Sequence, residues 1–162
     1  MAMIQQLKFL ARPILIKSAI IFGLLVAIYL GYMKYSEYRG QQQLTLLKHV
    51  SELRMNLVQS RASWVTLAKL DPESSDLNLR KTNIISQINR SIVEGKKLIE
   101  LERICTQQQE VLDELLTKKT FDEGMNYLHS DKVVGLITDM TNLIYKYEYE
   151  EGRIREQLRL NP

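Results

Sequence analysis

The chain has 162 residues, 45% hydrophobic and 25% charged, a globular balance that excludes a disordered, collagen-like or disulfide-scaffold protein. Its net charge of +3 is carried by Lys8, Arg12 and Lys17, and the 22 basic residues less these three leave 19 against 19 acidic ones from Lys34 onward. That balance lacks the basic face of a nucleic-acid binder. One cysteine, Cys105, and two histidines offer neither an internal disulfide nor a multi-ligand zinc site.

The first element in chain order is residues 14–33, ILIKSAIIFGLLVAIYLGYM, which carry a single charge at Lys17. A helix of this length spans roughly 30 Å, the hydrocarbon thickness of a bilayer. Lys17 can reach the headgroups at the N-terminal end. Pro13 stands where the first helical N–H groups need no partner. Tyr29, Tyr32, Tyr35 and Tyr38 form an aromatic belt at the far end. No small-x-small cleavage site follows, so the segment reads as an uncleaved signal anchor. Residues 1–13 are basic and free of acids, which places them in the cytoplasm and residues 34–162 outside it. The location implied is a cell (inner) membrane crossed once. Ala19, Gly23, Ala27 and Gly31 recur every fourth residue, a ladder of small side chains of the kind that lets membrane helices pair closely. Self-association is the simplest use of such a ladder.

Beyond the membrane the chain is helix-compatible throughout, with no proline between Glu73 and Asn161. Helices are expected over 36–70, 73–103, 106–127 and 131–159. In the first, Leu46, Val50, Leu53, Leu57, Trp64 and Leu67 follow a heptad seam, with Ser60 in the remaining slot. Ile85, Ile88, Ile92 and Ile99 mark the second helix; Val111, Leu112, Leu115 and Leu116 mark the third. Val133, Ile137, Met140, Ile144, Tyr147, Ile154 and Leu158 form the last seam, with Glu151 in one slot. Asp71-Pro72-Glu73 reads as an N-cap followed by a first-turn proline. Thr106 with Gln109 fits a capping box, and Asn126 to Asp131 holds cap formers ahead of the last helix. The expected fold is all-α: one N-terminal transmembrane helix, then an antiparallel three- or four-helix bundle.

No motif of chemistry emerges. His49 and His129 belong to no metal or catalytic motif, Cys105 has only Arg103 as a cationic neighbour, and no phosphate loop or nucleophile elbow occurs. No catalytic residue, cofactor or metal is expected. Trp64, Leu67, Ile137, Met140, Ile144 and Tyr147 are candidates for the bundle seam or for contact with a partner. Asn56, Asn78, Asn83, Asn89 and Asn142 are mid-helix amides, of which one in the core can set register.

The segments Thr106-Gln-Gln-Gln-Glu-Val-Leu-Asp-Glu-Leu, Phe121-Asp-Glu-Gly-Met-Asn-Tyr-Leu, Val133 to Met140 and Glu148-Tyr-Glu-Glu resemble the third class of CHASE domain. That domain is an extracytoplasmic helical sensory bundle of bacterial histidine kinases and chemoreceptors. The resemblance covers mainly residues 106–151, and Arg61 to Asp71 keeps only Leu67 and Asp71 of the family's pattern. It implies a helical sensory bundle beside a membrane helix and transfers no binding residue.

Two functions are expected from these readings. The first is a non-enzymatic, single-pass membrane protein whose bundle mediates protein–protein contact within a membrane complex. Its partners would be the bilayer and a second copy or another membrane protein. The second is a ligand- or signal-sensing bundle without an output domain of its own.

Overall fold

The computed structural model describes residues 2–159, with side chains from residue 21 onward. Among the described residues the regular elements are all helical. They are α1 (Ala2–Leu67), α2 (Leu77–Gly95), α3 (Glu102–Leu116), α4 (Phe121–Leu128) and α5 (Asp131–Arg159), with a 3-10 turn at Ile99–Leu101. The chain separates into two units, one up to Leu44 and one at Thr45–Leu160.

In the first unit residues 21–44 are helix, and over 21–33 apolar side chains stand on every face. Among the described residues no helix is long and apolar enough to cross a membrane. The expected span begins at 14, so its first seven positions, with Lys17 and Ala19, lie outside the residues whose side chains are described.

The second unit is a helical bundle. Hydrogen bonds between elements give its topology. Asn56 of α1 reaches Ser91 of α2 while Ser63 reaches Gln87, so the two helices run antiparallel. His49 pairs with Glu100 and Ser60 with Gln108, so α1 and α3 run the same way. Arg54 ties α1 to Glu151 of α5. Backbones approach most closely around α3, which packs against α2, α4 and α5. The interior is built from Val50, Leu53, Leu57, Trp64 and Leu67 of α1, Ile88 and Ile92 of α2, Val111, Leu112 and Leu115 of α3, and Val133, Met140 and Ile154 of α5. Each large apolar side chain withdrawn from water contributes roughly 1.5–3 kcal/mol. These seams, more than helix propensity, hold the unit together.

Several expected boundaries move, each for a local reason. The second helix starts at Leu77, not 73, because Asp71 closes a turn: its Oδ1 accepts from the Glu73 N–H at 3.0 Å. That helix ends at Gly95, and the chain turns through the 3-10 step into α3 at Glu102. No capping box forms at Thr106. Its hydroxyl donates back to the Glu102 carbonyl in mid-helix, since the buried Ile104 and Cys105 carry α3 through that point. The box sits instead at Thr120, whose hydroxyl accepts from the Glu123 N–H while the Glu123 carboxylate reaches back. It splits the expected 106–127 helix into α3 and α4. The last helix occupies 131–159 as expected, with Asp131 in its first turn and Arg159 in its last, both favourable to the helix dipole. Of the expected seam residues, Leu46, Ile99 and Leu116 are exposed, Ile99 at 84% because it rides on the connection after α2.

Candidate functional site: an uncovered apolar belt and a polar layer

The belt is residues 21–33. Ile21, Phe22, Leu24, Leu25, Ile28 and Leu30 are all exposed, as are Tyr29, Tyr32, Met33, Tyr35 and Tyr38 toward its end, with Tyr32 at 71%. A helix that is apolar all round is at home only where lipid or protein covers it. Lys34 and Arg39 follow the belt, and the Arg39 guanidinium lies 5.7 Å from the centroid of the Tyr35 ring. Within the expected ladder, Ala27 is exposed, and a Cβ placed on Gly23 or Gly31 meets nothing within 4 Å. Ala19 lies outside the described side chains. The ladder is open to a neighbour along its described length.

In the bundle, Trp64, Leu67, Met140, Ile144 and Tyr147 are buried, and Ile137 is half-buried against the core. These residues line the interior of this unit. Burial pushes the Tyr147 hydroxyl above its ordinary pKa, helped by the nearby Glu100 and Glu150 charges.

The structure also exposes a polar layer that the apolar periodicity gave no reason to look for. Gln108 is 0% exposed. Its Oε1 accepts from Ser60 Oγ and, at 3.2 Å, from Trp64 Nε1. Two donors aimed at one atom fix the amide's orientation, and Gln108 Nε2 is left without a partner. Asn56, 7% exposed, donates from Nδ2 to the Ser91 carbonyl at 3.0 Å, and its Oδ1 is unpartnered. Each such buried, unpaired atom costs about 1–3 kcal/mol. The advance signs were Ser60 standing in a heptad slot and Asn56 among the mid-helix amides of which one could lie in the core.

A second polar contact crosses the bundle at Glu151. This carboxylate is 7% exposed and lies between Arg54 Nε at 2.8 Å and Arg155 Nη2 at 2.5 Å. Burial acts to raise its pKa, but the two guanidiniums outweigh burial and hold it below the ordinary glutamate value. His49 Nε2 lies 3.0 Å from Glu100, whose carboxyl is lowered by that hydrogen bond. Cys105 is fully buried, and desolvation raises its thiol despite Lys96 nearby.

Among the described residues no group of three or more His, Cys, Asp or Glu side chains is placed to hold a metal ion. Two hollows, of about 560 and 570 Å³, run along the α1–α2 seam and share Thr66 and Gln87. Their walls are largely amide, hydroxyl and charged: Gln59, Ser63, Asn83, Gln87, Arg90 and Glu94 among them. The arrangement can bury apolar surface and exchange hydrogen bonds. No family model, curated protein or solved structure matches the chain.

Proposed function

We propose that this chain is a single-pass membrane protein whose helical bundle is a non-enzymatic interaction module, a subunit or scaffold of a membrane complex. The uncovered belt at 21–33 carries the proposal. Such a surface requires a cover, and the apolar sequence continues upstream to residue 14. The aromatic girdle from Tyr29 to Tyr38 and the charge asymmetry about the belt favour lipid as that cover. They also favour a cytoplasmic N-terminus and a bundle outside. The open ladder at Gly23, Ala27 and Gly31 favours a second copy or another membrane helix as the neighbour.

The test is alkaline extraction of membranes combined with protease treatment of sealed cells carrying a tag after Pro162. The expected result is a chain that stays in the pellet and a tag that is lost without lysis. A chain released to the supernatant would remove the anchor from this reading. A protected tag would move the bundle to the cytoplasm.

The polar hollows along α1 and α2 support a second reading, a ligand-sensing bundle, in keeping with the resemblance of residues 106–151 to the CHASE class. A ligand bound there raises the melting temperature with the logarithm of its concentration once that exceeds Kd. Screening small polar molecules for that shift, with Gln87→Ala as the control that abolishes it, separates the two readings.

A further inference from the structure

We propose that α2 is a strap that lifts off the bundle as a unit while α1, α3 and α5 stay packed.

The bundle helices are not held alike. The buried apolar side chains of α2 are Ile84, Ile88 and Ile92, whereas α5 buries Val133, Leu136, Met140, Ile144, Tyr147 and Ile154. The contact of α2 with α1 carries polar pairs, Asn56 on the Ser91 carbonyl and Ser63 with Gln87, beside the two hollows that reach toward the Asp71 turn. Polar groups recover water when they separate, so these pairs resist opening far less than apolar contacts in their place would. Asn56 Oδ1 gains by it, since it has no partner while α2 is down.

The ends of α2 are free to let go. Asp76, at its N-cap, makes no capping bond; its carboxylate is taken by Ser74 and by Arg80 at 2.8 Å. Irregular chain flanks the helix at 68–76 and 96–98. At Gly95 the backbone of α2 comes down tightly. A Cβ there would stand 2.5 Å from Cys105 Sγ and 3.0 Å from Asn56 Oδ1. The last turn of α2 is thus the cover of Cys105. Few buried apolar contacts and flanking loops are the marks of a segment that opens below the global unfolding free energy.

Cys105 is the chain's one thiol and so reports the strap directly. The experiment labels Cys105 in the full chain, in micelles, with a thiol reagent across a denaturant series, beside global unfolding followed by circular dichroism. The expected rate without denaturant is at least tenfold above what global unfolding allows, with less than half the global denaturant slope. Amide exchange should show residues 77–95 opening together, ahead of α1, α3 and α5. Gly95→Ala, which forces a methyl group against Cys105 Sγ, should raise the labelling rate further. Labelling that follows global unfolding in both midpoint and slope overturns the strap. So does amide exchange in which α1 or α5 opens before α2. If Gly95→Ala does not fold, the slope and exchange order of the unaltered chain decide.

Discussion

One helix, α1, contains two kinds of apolar surface. Over 21–33 the apolar side chains point in all directions and are exposed. Over 50–67 most of them, Val50, Leu53, Leu57, Trp64 and Leu67, keep to one face and are buried, while Met55 and Val58 are exposed and Arg61, Ala62 and Thr66 face water. Composition does not separate the stretches as well as distribution around the axis does. A one-faced stretch is completed by the chain's own helices, and an all-round stretch can be completed only from outside.

The comparison sharpens most at its two centres. Trp64→Ala should cost the bundle about 3–5 kcal/mol, read as a lower midpoint in chemical denaturation. Leu25→Ala, a large apolar truncation on the same helix, should move that midpoint by less than about 0.5 kcal/mol, because nothing in the described structure packs on it. A Leu25 variant that destabilised the bundle would break the distinction. Next in size is charge: Leu25→Arg should oppose membrane insertion by about 2.5–3.5 kcal/mol and shift the chain toward the alkaline supernatant, with the bundle's melting unchanged.

The Arg54–Glu151–Arg155 contact gives a smaller effect, confined to the bundle. Glu151→Gln should cost roughly 1–2 kcal/mol, below the range for a fully buried pair because Arg155 is largely solvated and rehydrates. The pH dependence has a definite sign. The folded carboxyl titrates below the ordinary value of 4.5, so its contribution is present above pH 4.5 and is lost as pH falls through the folded value. Glu151→Gln should therefore flatten the acid limb of a stability–pH curve, and an unchanged limb would show that the guanidiniums do not hold this charge. The last effect expected in the bundle is a gain. Gly135 lies within α5, and a Cβ there meets nothing within 4 Å. Gly135→Ala should stabilise the bundle by up to about 1 kcal/mol in thermal melts.

The residues that were legible in the sequence were those where local pattern and burial agree. Trp64, Leu67 and Met140 lie on heptad seams and are buried, and the Asn126 to Asp131 caps place the start of α5. Misreadings arose where one local signature fits two places. Thr106-x-x-Gln109 and Thr120-x-x-Glu123 are both capping boxes by spacing, and the difference lies in what surrounds them. Around Thr106 the apolar Ile104 and Cys105 are drawn into the core and keep the helix intact; before Thr120 stand Lys118 and Lys119, with no seam to bury. The polar layer was illegible for a different reason. Gln108 sits between two glutamines of the same run, and only three-dimensional packing distinguishes the one that meets Ser60 and Trp64.

Trp64 has one more consequence. It is the chain's single tryptophan, fully buried, with its N–H held by the Gln108 oxygen. The bundle thus carries its own fluorophore at its centre, shielded from aqueous quenchers and blue in emission while the core is closed. The aromatic residues of the belt are tyrosine and phenylalanine, whose weaker emission lies at shorter wavelength. Selective excitation of the indole reads the bundle alone, whatever lipid, detergent or partner is exchanged around residues 21–33.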